Sequence, residues 1–126
     1  IESGSQKVLN LMHKGYTIAV IDEVLCNTYK AGIKPGVNLL IGFPGEEQED
    51  FLETCEFVKR NGKYLSYVNI STLGIEPLTD IYVNRVKMNI DFQDSANWQT
   101  LDRKNNYKIR IERVVRLSEI VQGYVG

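Results

Sequence analysis

Two short apolar runs separated by one amphipathic helix constrain the fold of this chain more than any other feature. The first run is Val37 to Gly42 and the second is Tyr67 to Leu73, and each has the length of a strand. Between them, acidic residues gather near Glu46 to Asp50 and basic residues near Lys59 to Lys63, the charge order that a helix dipole favours. Strand, helix and strand with short loops form a parallel βαβ unit with a right-handed crossover. We therefore predict an α/β fold.

Further elements are predicted on the amino-terminal side of this unit. Two helices should run from Gln6 to His13 and from Thr17 to Gly32, and Ser5 and Thr17 should cap them. Ile1 to Ser3 should be the end of a preceding strand. The chain thus contains about three βα units.

On the carboxyl-terminal side, a short helix is predicted through Tyr82 and Val86. The segment from Ile90 to Lys104 is polar and is predicted to be a loop, with Phe92 and Trp98 as anchors. A longer helix should follow from about Asn106 to Gln122. Its buried stripe is predicted to be Tyr107, Ile111, Val114, Leu117 and Val121.

Composition excludes several classes of protein. A chain of 126 residues with 43% hydrophobic and 25% charged residues suits one globular domain, and its net charge of −1 provides no overall attraction to nucleic acid or membrane. Cys26 and Cys55 are too few for a disulfide framework, so we expect a reducing, cytoplasmic compartment and no membrane partner. Both cysteines should act as small hydrophobic residues, and His13, the single histidine, should lie at the surface.

The two ends of the chain suggest a larger protein. The sequence begins at Ile1 without an initiator Met and ends at Gly126 within an apolar helical pattern. We expect this chain to be a piece of a longer polypeptide.

Ligands of parallel α/β sheets bind outside the carboxyl ends of the strands. Three such ends are predicted here, at Glu2 to Gly4, Gly42 to Glu46 and Thr72 to Gly74. Gly42 and Gly45 would let a ligand approach the backbone closely, although such turns also need glycine for their own geometry. The second end lacks the Gly-Lys-Ser/Thr sequence of a nucleotide-binding P-loop, which argues against nucleoside triphosphate hydrolysis.

Three arginines recur at every third position of the last predicted helix. Arg110, Arg113 and Arg116 therefore lie on neighbouring positions, with Arg103 and Lys108 nearby. A solvated face opposite the apolar stripe is the favoured interpretation. The alternative is a surface that contacts the phosphates of RNA or of a large anionic substrate.

Three collinear segments between Ile1 and Tyr82 resemble the radical S-adenosylmethionine (SAM) superfamily. Glu2-Ser3-Gly4-Ser5, followed by Val8-Leu9 and Met12, resembles its fourth-strand segment in cobalamin-linked Fe-S oxidoreductases of the magnesium-protoporphyrin monomethyl ester cyclase type. Leu40 to Glu46 with Glu49-Asp50-Phe51 is similar to the fifth strand and its turn. Leu73 to Tyr82 follows the family's Leu-x-Pro-x-Pro-Gly-Thr-x-Leu-Tyr pattern but has Ile75 for a usual Pro and Leu78 for a usual Gly.

The resemblance implies a fragment of a partial (β/α) TIM-like barrel, with about three βα units plus the carboxyl-terminal helix. It implies residues 1–82 as the second half of a radical SAM barrel, with residues 83–126 as a loop and helix packed on it. In that family a 4Fe-4S cluster and SAM bind at the open strand ends, and reductive cleavage of SAM yields a 5′-deoxyadenosyl radical. Carried over residue by residue, the pattern implies a SAM site with three parts: Glu2 and Ser3 at its ribose and amino-acid portion, the backbone of Leu40, Ile41 and Gly42 against its adenine, and Ser71 and Thr72 at its edge.

The family's Cys-x-x-x-Cys-x-x-Cys cluster loop is absent from this sequence, because Cys26 and Cys55 lie 29 positions apart. We therefore expect the cluster ligands in a missing amino-terminal half of the barrel, which would be this fragment's partner. Alone, the fragment should be inactive and should self-associate through an exposed strand edge and an apolar sheet face.

Two alternatives to the oxidoreductase remain open. The related tRNA methylthiotransferases carry Gln-Ser-Gly-Ser at the position of Glu2 to Ser5, so Glu2 favours the cobalamin-linked branch while the arginine row keeps an RNA substrate possible. The other alternative is a non-catalytic α/β module that binds a partner. The substrate, a small molecule or RNA, is not specified by these residues.

Overall fold

A computed structural model describes all 126 residues. The chain forms five α-helices, one 3-10 turn and four strands. In chain order these are α1 (Gln6–Leu11), α2 (Ile18–Lys30), β1 (Gly36–Ile41), α3 (Gln48–Asn61), the 3-10 turn Gly62–Tyr64, β2 (Tyr67–Thr72), α4 (Asp80–Val83), β3 (Ile90–Phe92), β4 (Trp98–Thr100) and α5 (Tyr107–Tyr124).

The predicted βαβ unit is confirmed. β1 and β2 pair in parallel, in a register that runs from Gly36 opposite Tyr67 to Ile41 opposite Thr72. The strand predicted before them is not formed. Its residues make one backbone hydrogen bond to β1, in which the amide of Leu40 donates to the carbonyl of Glu2 at 2.8 Å. The amino-terminal segment thus lies beside β1 without forming a regular strand.

Side chains cap the first helices as their sequences predict. The Ser5 hydroxyl accepts a hydrogen bond from the Val8 amide at the start of α1, and the Thr17 hydroxyl accepts one from the Val20 amide at the start of α2. At the start of α3, the carboxylate of Asp50 accepts a hydrogen bond from the amide of Glu47 at 2.8 Å. Each of these bonds satisfies an amide that the helix itself leaves free.

The main core lies between one face of the sheet and helices α3 and α5. Leu39 and Ile41 of β1 are at most 1% exposed, and they belong to one apolar cluster with residues of both helices. On α3, Phe51, Cys55 and Val58 are buried at helical spacing, whereas Leu52 is exposed. A second, smaller cluster of Ile75, Ile90 and Trp98 lies under the β3–β4 hairpin.

The opposite face of the sheet is open and mainly polar. Asn38, Asn69 and Ser71 are exposed there, Leu40 is half-buried, and the amide of Asn69 donates to Asn38 across the two strands at 3.0 Å. Tyr67 is also on this face and is 51% exposed, and self-association of the fragment through the face stays a prediction. Parallel sheets bury their strands on both faces, so a polar open face is unusual for an isolated βαβ unit.

The segment predicted as a loop from Ile90 to Lys104 contains an antiparallel hairpin instead. β3 and β4 pair from Ile90 opposite Thr100 to Phe92 opposite Trp98. The carboxylate of Asp94 closes the connection by accepting hydrogen bonds from the amides of Ala96 and Asn97. Three-residue strands are too short to show an alternating pattern in the sequence, and this explains the wrong prediction.

Helix α5 is confirmed, and its predicted stripe is confirmed at Leu117, with Val114 and Val121 half-buried against the main core. Tyr107 and Ile111 are exposed, whereas Arg110, Arg113, Leu117 and Ile120 are buried. The four buried positions follow helical spacing just as the predicted stripe does. Periodicity alone therefore does not say which of the two faces is buried. No helix of the chain combines the length and the apolar character that a membrane crossing requires.

Candidate functional site

The predicted strand ends meet at one edge of the sheet. Leu40 lies opposite Ser71 and Ile41 opposite Thr72, while the Glu2 carbonyl bonds to the Leu40 amide. The structure therefore brings the three predicted segments together, as parallel strand ends should be. That these residues bind SAM stays a prediction.

Only some of the predicted side chains lie on the open side of this edge. Leu40 is half-buried and Ser71 is exposed on the open face, and the carboxylate of Glu2 is 3.0 Å from the ammonium of Lys14. Ser3 is 1% exposed, and its hydroxyl accepts a hydrogen bond from the Ser5 amide at 3.0 Å. Ile41 belongs to the main core. The strand period of two places Thr72 on the same helix-facing side.

Gly42, which follows β1, has both of its backbone polar groups bonded within the chain. Its amide donates to the carboxylate of Glu46 at 3.1 Å, and its carbonyl accepts from the side-chain amide of Asn105 at 3.0 Å. Its φ is +90°, and a Cβ atom here would lie 2.2 Å from Cδ of Arg110. Glycine is therefore required so that Arg110 can approach.

This geometry corrects the interpretation of the two glycines as space for a ligand. At Gly42 the space is taken by Arg110, and at Gly45 a Cβ atom would lie 2.6 Å from a methyl carbon of Leu11. Both glycines serve close approach of the chain's own side chains. The space beside these two glycines is therefore filled by the chain itself.

Glu46 and Arg113 form a buried ion pair behind the turn. Nη1 of Arg113 lies 2.9 Å from Oε1 of Glu46, and the two residues are 6% and 4% exposed. Burial raises the pKa of Glu46, although Arg113 and the Gly42 amide act in the opposite direction. Oε2 of Glu46 and Nε of Arg113 make no hydrogen bond within the chain. The pair holds the turn through Gly42, because one carboxylate oxygen binds both partners.

Arg110 is buried as well, and it joins α5 to the hairpin. Its guanidinium donates to Asn105 at 2.9 Å and to the carbonyls of Ala96 and Trp98 at 3.1 and 2.9 Å. It also lies 3.9 Å from the centre of the Trp98 ring, a distance suited to a cation–π contact. Burial lowers the pKa of Arg110 to about 10, so the side chain remains charged at neutral pH.

The arginine row is therefore neither a solvated face nor a phosphate-binding surface. Two of its three members are inside the protein, and only Arg116 is exposed. Arg116 and Lys104 line a polar pocket of about 590 Å³ at the start of α3, where Glu47, Glu49 and Glu112 are also present. These carboxylates repel phosphate groups, so the pocket does not suit an RNA backbone. Helical spacing alone could not reveal that Trp98, Asn105 and Glu46 would surround the arginines.

The loop after β2 keeps the backbone conformation that suits the glycine of the family pattern, although leucine stands there. Leu78 stands where the family usually has Gly, and its φ is +72° with a side chain that is 90% exposed. This left-handed conformation favours glycine. The backbone thus keeps a glycine-like shape at this position even though the residue has changed.

The residues present fit the two implied cofactors to different degrees. No group of three or more His, Cys, Asp and Glu side chains is placed to hold a metal ion, and Cys26 and Cys55 are free thiols on different helices. The chain therefore supplies no cluster ligands. At the open edge, Leu40, Ser71 and Glu2 offer an apolar side chain, a hydroxyl and a carboxylate, which is the chemistry that the implied SAM site requires.

Known proteins resemble this chain over most of its length. The tRNA-2-methylthio-N(6)-dimethylallyladenosine synthase of Ruthia magnifica is 30% identical over 125 residues, which is 96% of this chain and 28% of that protein. The threonylcarbamoyladenosine tRNA methylthiotransferase of Aquifex aeolicus is 37% identical over 83 residues, 63% of this chain and 19% of that protein. The synthase of Fusobacterium nucleatum is 25% identical over 124 residues, 95% of this chain and 24% of that protein. No family model matches the chain.

These relatives are tRNA methylthiotransferases. This subfamily is the alternative that the sequence leaves open to the cobalamin-linked oxidoreductases, and both belong to the radical SAM superfamily. The resemblance is thus supported at the level of the superfamily, and none of the three reported relatives bears a cobalamin-linked name. The chain spans between 19% and 28% of the length of these three proteins. It is similar to one segment of them.

Proposed function

We propose that this chain is the SAM-facing strand-end segment of a radical SAM enzyme that modifies tRNA, of the methylthiotransferase type. The observation that carries the proposal is the similarity to such enzymes over 96% of the chain, together with a parallel β1–β2 pair whose carboxyl ends adjoin Glu2. The strand pair alone is compatible with many α/β proteins, and the similarity narrows the choice.

The role proposed for each open-edge residue follows from its chemistry. The side chain of Leu40 provides an apolar surface for the adenine, and the Ser71 hydroxyl beside it hydrogen-bonds to a polar group at the rim. The Glu2 carboxylate accepts hydrogen bonds from the ribose hydroxyls. SAM, when bound with a reduced iron–sulfur cluster, supplies the radical chemistry, and the protein positions it and shields it from water.

Ser3, Ile41 and Gly42 take a supporting part in this proposal. Ser3 and Ile41 are buried on the helix side, and the amide and carbonyl of Gly42 are already bonded to Glu46 and Asn105. They determine where the strand ends lie, and thereby the position of Leu40 and Ser71. Thr72 contributes in the same way through its pairing with Ile41.

A cobalamin-linked oxidoreductase is the second candidate, and one residue favours it. Glu2 stands where the methylthiotransferase pattern has Gln. A carboxylate at this strand end accepts hydrogen bonds but donates none, so it changes which groups of a ligand can be bound. Of the two candidates, only the methylthiotransferase forms a methylthio product on tRNA, so that product distinguishes them.

The first test reads the coding sequence that flanks this chain and then uses the whole protein that it encodes. We expect a Cys-x-x-x-Cys-x-x-Cys sequence upstream of Ile1 and, after anaerobic reconstitution, saturable SAM binding by equilibrium dialysis. Incubation with SAM, a reductant, sulfide and tRNA whose adenosine already carries the N6-dimethylallyl or the threonylcarbamoyl group should add a methylthio group to that adenosine, detected by mass spectrometry of the nucleosides. A protein without those cysteines and without SAM binding would overturn the proposal and favour a partner-binding module.

Two matched variants test the open edge itself. Leu40→Glu places a charge at the proposed adenine surface and should weaken SAM binding more than tenfold. Leu52→Glu makes the same change on the exposed face of α3 and should leave SAM binding within twofold of the original protein. Equal SAM affinities for the two variants would exclude Leu40 from the site.

A further inference from the structure

A second polar pocket lies on the hairpin, apart from the strand-end edge. It has a volume of about 370 Å³ and lies between the β3–β4 hairpin and the start of α5. Gln93, Asn97 and Gln99 line it from the hairpin side, and Asn106, Tyr107 and Lys108 line it from the helix side. We call it the hairpin pocket.

We propose that the hairpin pocket binds one unpaired base of an RNA. This inference rests on the proposed function for the choice of RNA as the partner. It assigns the RNA contact to a surface different from the arginine row, two of whose members are buried.

The chemistry of the lining favours a planar heterocycle. Four carboxamides line it, and two of them, Gln93 and Gln99, each present a donor and an acceptor, as the edge of a base requires. One carboxylate, Asp91, and one ammonium, Lys108, leave the lining without net charge. The only apolar groups in it are the aromatic side chains of Trp98 and Tyr107. Neither a multiply charged ion nor an aliphatic ligand would be favoured in such surroundings.

Some of these amides are free and others shape the pocket. The Asn97 side chain donates to Asp94, and the Asn106 side chain accepts from the Ile109 amide at the start of α5. Gln93 bonds within the protein only through its backbone amide. Gln99 reaches Asp91 at 3.5 Å, the limit of a hydrogen bond. Gln93 and Gln99 are therefore available to a ligand.

Tyr107 and Lys108 supply the two other parts of a nucleotide site. Tyr107 is 51% exposed at the first position of α5, so its ring can stack on a base. The side chain of Lys108 is 85% exposed, and its ionic contact with Glu112 is 4.0 Å long. Its ammonium is therefore free to meet the phosphate next to the stacked base.

The walls of the pocket are held in place before any ligand arrives. Arg110 binds the carbonyls of Ala96 and Trp98 on the hairpin side, and Asn106 caps the helix on the other side. A site whose walls are already fixed loses less conformational entropy on binding. Since the chain carries a net charge of −1, recognition must come from the base more than from the phosphates.

The test measures binding of the full chain to a fluorescein-labelled RNA stem with a seven-nucleotide unpaired loop, by fluorescence anisotropy. Tyr107→Ala should weaken binding about tenfold, as expected for the loss of one stacked base, whereas Tyr107→Phe should stay within twofold. Tyr124→Ala is the matched control, because Tyr124 is 50% exposed at the other end of the same helix. It should leave the affinity unchanged. Circular dichroism should show the same helix content for all variants.

A second measurement separates base recognition from general attraction to phosphates. The affinity should fall with salt at a slope near −0.7, about one phosphate contact, and a blunt duplex without the loop should bind at least tenfold more weakly. Equal binding of loop RNA and blunt duplex, or equal effects of Tyr107→Ala and Tyr124→Ala, would overturn the inference. Failure of RNA to bind at all would do so too. SAM binding by the whole protein is independent of these results, so the proposed function can stand while this inference falls.

Discussion

The two halves of helix α5 pack against the protein by opposite means. The second half buries Leu117 and Ile120 in the main core beside Leu39 and Phe57. The first half buries Arg110 and Arg113, whose guanidinium groups bind carbonyls, an amide and a carboxylate. Hydrophobic burial, which stabilises the second half, does not require a particular orientation of the side chains. The hydrogen bonds and the ion pair of the first half require partners at particular distances and angles.

The difference shows how a strand end can be fixed by residues far along the chain. Arg113 and Asn105 both act on the turn after β1, through Glu46 and through the carbonyl of Gly42. Their positions lie more than 60 residues from that turn in sequence. The hydrophobic half of α5 attaches the helix, and the polar half determines the shape of the turn that it covers.

The largest loss of stability is expected for Arg113→Ala, which removes the buried ion pair in the first half of α5. Removing the guanidinium leaves the Glu46 carboxylate buried without its ionic partner, and this should lower the free energy of unfolding by about 3–5 kcal/mol. Urea denaturation followed by circular dichroism measures the change. The double variant Glu46→Gln/Arg113→Met removes both charges and should recover at least half of the loss. A loss below about 1 kcal/mol in the single variant would show that the pair is not a structural requirement.

Leu117→Ala tests the hydrophobic half. Leu117 is 0% exposed, so truncation creates a cavity in the main core and should cost about 3 kcal/mol of unfolding free energy. The same denaturation experiment measures it, with Val115→Ala as the control on the exposed side of the helix. If both variants lowered the free energy of unfolding by the same small amount, α5 would not be packed on the core as described.

Asn105→Ala sharpens the comparison, because it removes the link between the hairpin side and the turn. The carbonyl of Gly42 and one donor of Arg110 would lose their partner, and each buried orphan group costs about 1–3 kcal/mol. We also expect faster hydrogen exchange at the amides from Gly42 to Glu46, measured by mass spectrometry. Unchanged exchange there, despite a lower stability, would mean that Asn105 does not restrain the turn.

Arg116→Ala should have the smallest effect of this set. Its side chain is 66% exposed, and its contact with Glu119 is 4.0 Å long. Exposed pairs of this kind contribute little, so the unfolding free energy should change by less than about 0.5 kcal/mol. A loss comparable to that of Arg113→Ala would contradict the division of the arginine row into buried and exposed members.

Local sequence signals predicted the first two thirds of the fold. Ser5 and Thr17 cap their helices as expected, because an N-cap bond involves residues only three positions apart. The βαβ unit follows from strand length, helix charge and loop length, which together leave one common topology. The convergence of Glu2, Leu40 and Ser71 at one edge follows from that topology.

The remaining predictions failed where the decisive partner is distant in sequence. The hairpin after Ile90 depends on pairing with a strand of three residues, and its turn on the side chain of Asp94. The glycine at position 42 indicated close approach correctly, but the approaching group is Arg110. Nothing within the turn itself specifies which group comes near.

The sequence alone determined the main helices of this protein and the parallel β1–β2 pair, since capping, periodicity and crossover handedness depend on neighbouring residues. Tertiary structure decided which side of α5 faces inward. Arginines at helical spacing can be exposed to solvent or buried. Which of the two occurs depends on whether the neighbouring elements place hydrogen-bond acceptors next to them. Here Glu46, Asn105 and the hairpin carbonyls provide those acceptors, and a charge that is paired or hydrogen-bonded in this way can remain inside.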